Sequence, residues 1–115
     1  MSDTPLRATS PEPTLSVVIP ALNEEGSIRP TVERLAGHLS TQGIPHQIVV
    51  VNDASDDSTA AILDQLAFEN PSVHPVHRVP PRGVGRAVRA GLEHVTGDFV
   101  VVVMADLSDD PDDVV

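Results

Sequence analysis

Residues 99–110 read FVVVVMADLSDD, and the valine run in that stretch restricts the fold more than any other feature of the chain. Four consecutive valines are too apolar for an edge strand and too β-branched for a comfortable helix, so they predict a strand buried on both faces. The run then breaks into acid: Asp106 stands where such a strand leaves its sheet, with Asp109 and Asp110 close behind. In open α/β sheets, ligands bind in the crevice beyond the carboxyl ends of the strands. Carboxylates gathered there, with oxygen as the ligand type and no cysteine in the chain, suit Mg2+ or Mn2+ bridging to a phosphate.

The other segments repeat this logic. Residues 15–20 and 47–51 are short apolar runs with strand composition, and 73–79 is a third strand. Between them, Ile28, Val32, Leu35, Ala36 and Leu39 recur at helical spacing over 26–40, ended by Gly43 and Pro45. Ile62, Leu63 and Leu66 do the same over 58–68. A third helix over 85–95 is expected to turn Val88, Leu92 and Val95 inward, and Gly97 leads into the last strand, 98–104. Strand and helix alternating in this way predict an α/β fold, a parallel sheet with right-handed crossovers and helices on both faces. Residues 1–14, with three prolines among Ser, Thr and charges, are expected to be a disordered tail, leaving 15–115 as the folded part.

Composition excludes several functions. At 115 residues the chain is one domain at most. Seven basic residues, every one an arginine, against seventeen acidic ones give a net charge of -10, which argues against a nucleic-acid partner. The two aromatic residues, Phe68 and Phe99, provide no base-stacking platform. No cysteine means no disulfide or thiolate metal site. No stretch reaches the roughly 18 apolar residues of a membrane span.

Three polar clusters each follow a strand: Asn23, Glu24 and Glu25; Asn52 and Asp53; and the acids from Asp106 on. Parallel strands end on one rim, so the clusters converge there. Each alone has a local explanation. Ser55, Asp56 and Asp57 precede a helix, as do Asp110, Asp112 and Asp113 around Pro111, and capping accounts for them. Asp53 lies at the strand end ahead of that helix and is read as an acceptor for a base or ribose. Asp106 is the leading metal ligand, with Ser108 and Asp109 next. Arg82, Gly83, Val84, Gly85 and Arg86 form a turn into the third helix whose amides and guanidinium groups suit a diphosphate. It is not a dinucleotide fingerprint, because Val88 stands where GxGxxG has its third glycine. His74 and His77, three apart on a strand, face opposite sides and do not read as a ligand pair.

Four stretches, VVIPALNEEGSI at 17–28, IVVVNDASDDST at 48–59, RGVGRAVRAGL at 82–92 and VVMADLSDDP at 102–111, resemble the motifs of family 2 glycosyltransferases of the GT-A fold. The resemblance is strongest to the dolichyl-phosphate mannose synthase and polyprenyl-phosphate glycosyltransferase branch, and it covers the N-terminal half only. It implies a truncated GT-A (Rossmann-like) fold, the nucleotide-binding half, with strands in the order 3-2-1-4. It implies that Pro20, Leu22, Glu24 and Asp53 contact the nucleoside, that Arg82 and Arg86 line the pocket, and that Asp106, with Ser108 adding a ligand, binds the metal on a nucleotide-diphosphate sugar. The implied acceptor is a polyprenyl phosphate at a membrane, and the implied location is cytoplasmic, with membrane association in the full-length protein. Two positions depart from the family's pattern: Asn52 and Met104 stand where aspartates are usual, and a thioether is a poor ligand for a hard cation. The family's acceptor site and catalytic base lie in the missing C-terminal half, so the chain is expected to bind donor but to be inactive alone. The competing reading is a nucleotide-binding module without catalysis. A sugar-nucleotide pyrophosphorylase is disfavoured by the acidic loop ALNEEGS, and a phospho-receiver domain by the absence of lysine.

Overall fold

The computed structural model describes residues 15–104. The expected tail at 1–14 and the stretch from 105 on, with Asp106, Ser108 and Asp109, lie outside the described residues. The elements alternate as the hydrophobic pattern requires: β1 (Leu15–Ala21), α1 (Ile28–Thr41), β2 (His46–Asp53), α2 (Thr59–Glu69), β3 (Val73–Arg78), α3 (Val84–Leu92) and β4 (Phe99–Val102). All pairings are parallel, and the strand order is β3-β2-β1-β4, as the resemblance implied.

Because successive side chains on a strand point to opposite faces, β1 and β2 feed two cores. Val17, Ile19, Ile48 and Val50 meet Ile28, Val32, Ala36 and Leu39 of α1 and Leu63 and Leu66 of α2 on one face. Val18, Val49 and Val51 meet Ala87 of α3 on the other. Phe68 and Phe99 are both exposed, so the core is aliphatic throughout. Helix α1 ends in a Schellman arrangement: Gly43 takes a φ of 69°, its amide donates to Ser40 O at 3.0 Å, and the Ile44 amide donates to Leu39 O at 3.0 Å. Arg29 ties α1 to α2 through two hydrogen bonds to Glu69, at 2.9 and 3.3 Å.

Two expectations are corrected. The valine run does not form a strand buried on both faces: Phe99 is 70% exposed and Val100, Val101 and Val102 are 43%, 45% and 43% exposed. The reason is position. β4 is an edge strand paired with β1 alone, and among the described residues no helix makes more than marginal contact with it. The expected inward face of α3 is also displaced. Ala87 and Gly91 are buried while Leu92 is exposed, Val88 is half-buried, and the helix ends at Leu92, before Val95. Small residues face the sheet because the helix lies against it: a Cβ on Gly91 would fall 2.6 Å from Val18 Cγ1 and 3.0 Å from Val51 Cγ2.

The amino ends of β1 and β2 are closed by a buried polar latch. Ser16, level with Gln47 in the ladder, donates to its Oε1 at 2.8 Å and accepts the Gly97 amide at 2.9 Å. Gln47 Oε1 also accepts the Thr96 amide at 3.1 Å, while its Nε2 donates to His94 O at 2.8 Å. The turn into β4 is thereby pulled onto the strand ends, and no space remains for a side chain at its last glycine. A Cβ on Gly97 would lie 2.8 Å from Ser16 Oγ and 3.0 Å from the backbone of Leu15 and Ser16. Gly97→Ala is therefore expected to destabilise the fold by about 1–3 kcal/mol in chemical denaturation. A loss under ~0.5 kcal/mol would show that the latch tolerates the extra atom.

Candidate functional site: the carboxyl rim of the sheet

The carboxyl ends of β1, β2 and β3 carry the polar side chains that the alternating pattern excludes from the sheet's middle. Two loops there, 22–27 after β1 and 54–58 after β2, are laced together. The Asn23 amide donates to Ser55 Oγ at 3.0 Å, and Asn23 Oδ1 accepts the Asp56 amide at 2.8 Å. The Glu25 amide donates to Asp57 Oδ2 at 3.2 Å, and Glu25 Oε1 accepts the Ser58 amide at 2.9 Å. The Glu24 amide donates to Thr59 Oγ1 at 2.9 Å. Each loop has a residue in the left-handed region, Asn23 at φ 55° and Ala54 at φ 60°. Asparagine tolerates that conformation, and alanine holds it only where the surroundings fix it.

Capping explains less of this than its sequence signature suggests. Asp57 does bind the start of α2, accepting the Thr59 amide at 2.9 Å and its hydroxyl at 2.5 Å. Ser55 instead serves the neighbouring loop, and Asp56 Oδ2 accepts from Arg82 Nη2 at 2.6 Å. The difference arises because a second loop lies close enough to compete for those side chains.

Asp53, the last residue of β2, is buried, and both its oxygens are used. Oδ1 is paired with Arg78 Nη1, and Oδ2 accepts the Gly83 amide at 2.8 Å. Arg82 reaches back to the Ala54 carbonyl through Nε and Nη2, at 3.1 and 2.8 Å. The Arg86 side chain, exposed on the first turn of α3, makes no hydrogen bond or ion pair among the described residues. Pro20 is buried in β1 opposite Val51, Leu22 is exposed just beyond it, and Glu24 Oε1 accepts from Ser27 Oγ at 2.8 Å. Pro20, Leu22, Glu24, Asp53, Arg82 and Arg86 thus share one rim. Asp106, Ser108 and Asp109 are outside the described residues.

Of two further residues on this rim, Arg78 had no place in the sequence analysis and His77 entered it only as half of a rejected ligand pair. Arg78 ends β3 level with Asp53, and His77 stands level with Asn52. The Ser55 amide donates to Asn52 Oδ1 at 3.0 Å, which leaves Nδ2 to donate to His77 Nδ1, also at 3.0 Å. His77 Nε2 then donates to Asp64 Oδ1 at 2.8 Å. An asparagine therefore fits a position flanked by an amide donor on one side and a ring acceptor on the other. The available signal was register: aligning the ends of the second and third strands puts an arginine beside Asp53.

Residues 16–114 match the family described as glycosyl transferase family 2. The chain belongs to that family. Its relatives include an undecaprenyl-phosphate 4-deoxy-4-formamido-L-arabinose transferase of Shewanella sediminis, 34% identical over 102 residues, which covers 87% of this chain and 30% of the relative. The corresponding protein of Enterobacter sp. (strain 638) is 36% identical, covering 87% and 31%. A dolichyl-phosphate beta-glucosyltransferase of Trichomonas vaginalis is 34% identical over 94 residues, covering 77% and 28%. Among solved structures, a Pyrobaculum calidifontis mannosyltransferase in complex with GDP-Man and Mn2+ superposes with a TM-score of 0.64 at 29% identity, over 85% of this chain and 28% of that one. TarS 1-349 of S. aureus also gives 0.64, at 26% identity, over 81% and 27%. The fold is thus the parallel-sheet part of the GT-A glycosyltransferase fold, and the chain spans under a third of the length of the curated relatives it matches.

The clasp between the loops carries a pH dependence. Partial desolvation pushes the Asp57 carboxyl up, but the hydrogen bonds from the Thr59 hydroxyl and amide and from the Glu25 amide outweigh it and leave its pKa lowered. Glu69 is lowered chiefly by its hydrogen bonds from Arg29 and Gln65. With folded values below unfolded ones, the unfolded chain takes up protons first as pH falls. The contribution of these carboxylates is complete above the ordinary value of about 4 and is lost below it. Urea midpoints are expected to fall as pH drops below about 4, and to fall less steeply in Asp57→Asn. Identical pH profiles for the two proteins would count against the clasp.

Proposed function

We propose that the chain is the donor-binding part of a glycosyltransferase that takes a nucleotide-diphosphate sugar and, in a complete protein, passes the sugar to a polyprenyl phosphate. The observation that carries this reading is the convergence of Glu24, Asp53, Arg82 and Arg86 on one rim of the sheet in a member of this family. Exposed Leu22, beside buried Pro20, offers an apolar surface for a base, with Glu24, and the lone pairs of Asp53 that Arg78 and the Gly83 amide leave over, as acceptors for base or ribose donors. The amides of Val84, Gly85 and Arg86 precede the first hydrogen bond of α3, from the Ala87 amide to Gly83 O at 2.9 Å. Together with the Arg86 guanidinium they suit a diphosphate.

The diphosphate is the leaving group when the sugar carbon is attacked, and charge accumulating on it must be neutralised. A bound Mg2+ or Mn2+ would supply part of that charge. The residues that would hold it are Asp106 with Ser108 and Asp109. Their oxygens suit a hard cation, which the Met104 thioether does not. The kinship with undecaprenyl-phosphate and dolichyl-phosphate transferases supports a polyprenyl or dolichyl phosphate acceptor, and the Mn2+ and GDP-Man of the Pyrobaculum calidifontis protein support the donor and metal. No helix among the described residues is long and apolar enough to cross a membrane. Work at the cytoplasmic face of a membrane fits a lipid-linked acceptor.

Calorimetric titration with UDP and GDP, with and without Mn2+ or Mg2+, tests the reading. Binding is expected to strengthen roughly tenfold or more with metal, corresponding to about 1.4 kcal/mol, and to lose that gain in Asp106→Ala. Metal-independent binding untouched by Asp106→Ala would remove the ligand assignment. Sugar transfer to a polyprenyl phosphate by the 115 residues alone would place a catalytic base within them.

A further inference from the structure

Of the five ion pairs among the described residues, the one between Arg78 and Asp53 is set apart by burial. Its side chains are 17% and 5% exposed, whereas every other pair has both partners at least 35% exposed. An exposed pair contributes little, but a buried carboxylate stripped of its partner is strongly unfavourable. The pair also sits at the junction of the rim. Arg78 Nη1 bonds both Asp53 Oδ1 and, at 3.2 Å, the Pro81 carbonyl, while Asp53 Oδ2 holds the Gly83 amide. Two ties on the 79–83 segment thus depend on Arg78, one directly at Pro81 and one through Asp53 at Gly83, beside those that Arg82 makes to the Ala54 carbonyl and Asp56; that segment leads into the first turn of α3 with Arg86.

We propose that Arg78 is a positioning residue for the donor pocket: it holds the Asp53 side chain in place and fixes the Gly83 turn before the nucleotide arrives. This rests on the donor-binding reading above. The charge argument points the same way. A nucleoside diphosphate is anionic, and a buried unpaired carboxylate beside it would repel it; the guanidinium cancels that charge without occupying the rim, because most of it lies beneath the surface. With Arg78 replaced by an apolar side chain, Asp53 loses its counter-charge and the turn loses the Pro81 tie. The Gly83 amide then loses its fixed acceptor, and Arg82 alone still ties the segment, to the Ala54 carbonyl and Asp56.

The test compares the 115-residue wild type with Arg78→Met and Arg78→Lys, each titrated with GDP and UDP in Mn2+ at a temperature where melting curves show it folded. The Gly83 amide is followed by 15N NMR. Arg78→Met is expected to lose roughly tenfold or more in affinity, with loss of the Gly83 amide's hydrogen-bonded shift and exchange protection. Arg78→Lys, which keeps the charge, is expected to recover most of both. A role confined to stability would lower the melting temperature and leave the Gly83 signal and the affinity of the folded protein unchanged. That result, with nucleotide still bound by the wild type, overturns the proposal and leaves the donor-binding reading intact. Absence of nucleotide binding by the wild type removes the donor-binding reading, and this proposal with it. Should Arg78→Met not fold, Arg78→Gln, which keeps donors but no charge, takes its place with the same expected losses.

Discussion

Everything in this fold follows from the pairing of β1 with β2. Each strand is apolar on both faces, so neither can be stable until both faces are covered, and parallel connections supply the covering helices as a geometrical by-product. Helices α1 and α2 close one side and α3 the other. The same connectivity forces the chain reversals after β1, β2 and β3 onto one rim and the returns onto the opposite one. Polar residues are thereby sorted by strand position: Ser16 and Gln47 at the amino ends form a closed, internally satisfied latch, and Asn52 and Asp53 at the carboxyl ends form the candidate site.

The two ends differ in what their hydrogen bonds accomplish. At the amino end Ser16 and Gln47 bond chiefly each other and the 94–97 turn, leaving nothing directed outward. At the carboxyl end the partners are 25 to 35 residues apart in sequence, joining the loops after β1, β2 and β3. Such bonds make three loops into one body. A loop held by its own turn can move alone, whereas Asn23 and Ala54 keep left-handed backbones because the neighbouring loop holds them there.

The alternation of strands and helices was legible because each segment carries its own periodicity. The order β3-β2-β1-β4 followed from the family motifs and not from the pattern. Where reading failed, the cause was information that a local pattern does not contain. The valines of β4 have the composition of a buried strand, but burial depends on what lies beside and above a strand, and β4 stands at an edge. In α3, Val84, Val88 and Leu92 and the small residues Gly83, Ala87 and Gly91 both recur every fourth position. Periodicity cannot choose between two such stripes, and close approach to Val18 and Val51 chose the small one. The lacing of the loops and the role of Arg78 needed strand register, which only the assembled sheet supplies.

An acid-rich rim in a chain of net charge -10 is at first sight ill suited to an anionic ligand, and the pairing pattern resolves the conflict. Asp53 is spent on Arg78 and the Gly83 amide, Asp56 on Arg82, Asp57 on Thr59 and the Glu25 amide, Glu25 on the Ser58 amide, and Glu24 on Ser27. A carboxylate that accepts hydrogen bonds from amides or is neutralised by a guanidinium repels an approaching phosphate less than a free one, and it holds in place the loops that carry it. The cation left without a partner on this rim among the described residues is Arg86, at the amino end of α3, where the helix dipole also favours negative charge. Among the described residues the acids of these loops therefore act as scaffold, and the side chain left uncommitted at the start of α3 is the positive Arg86.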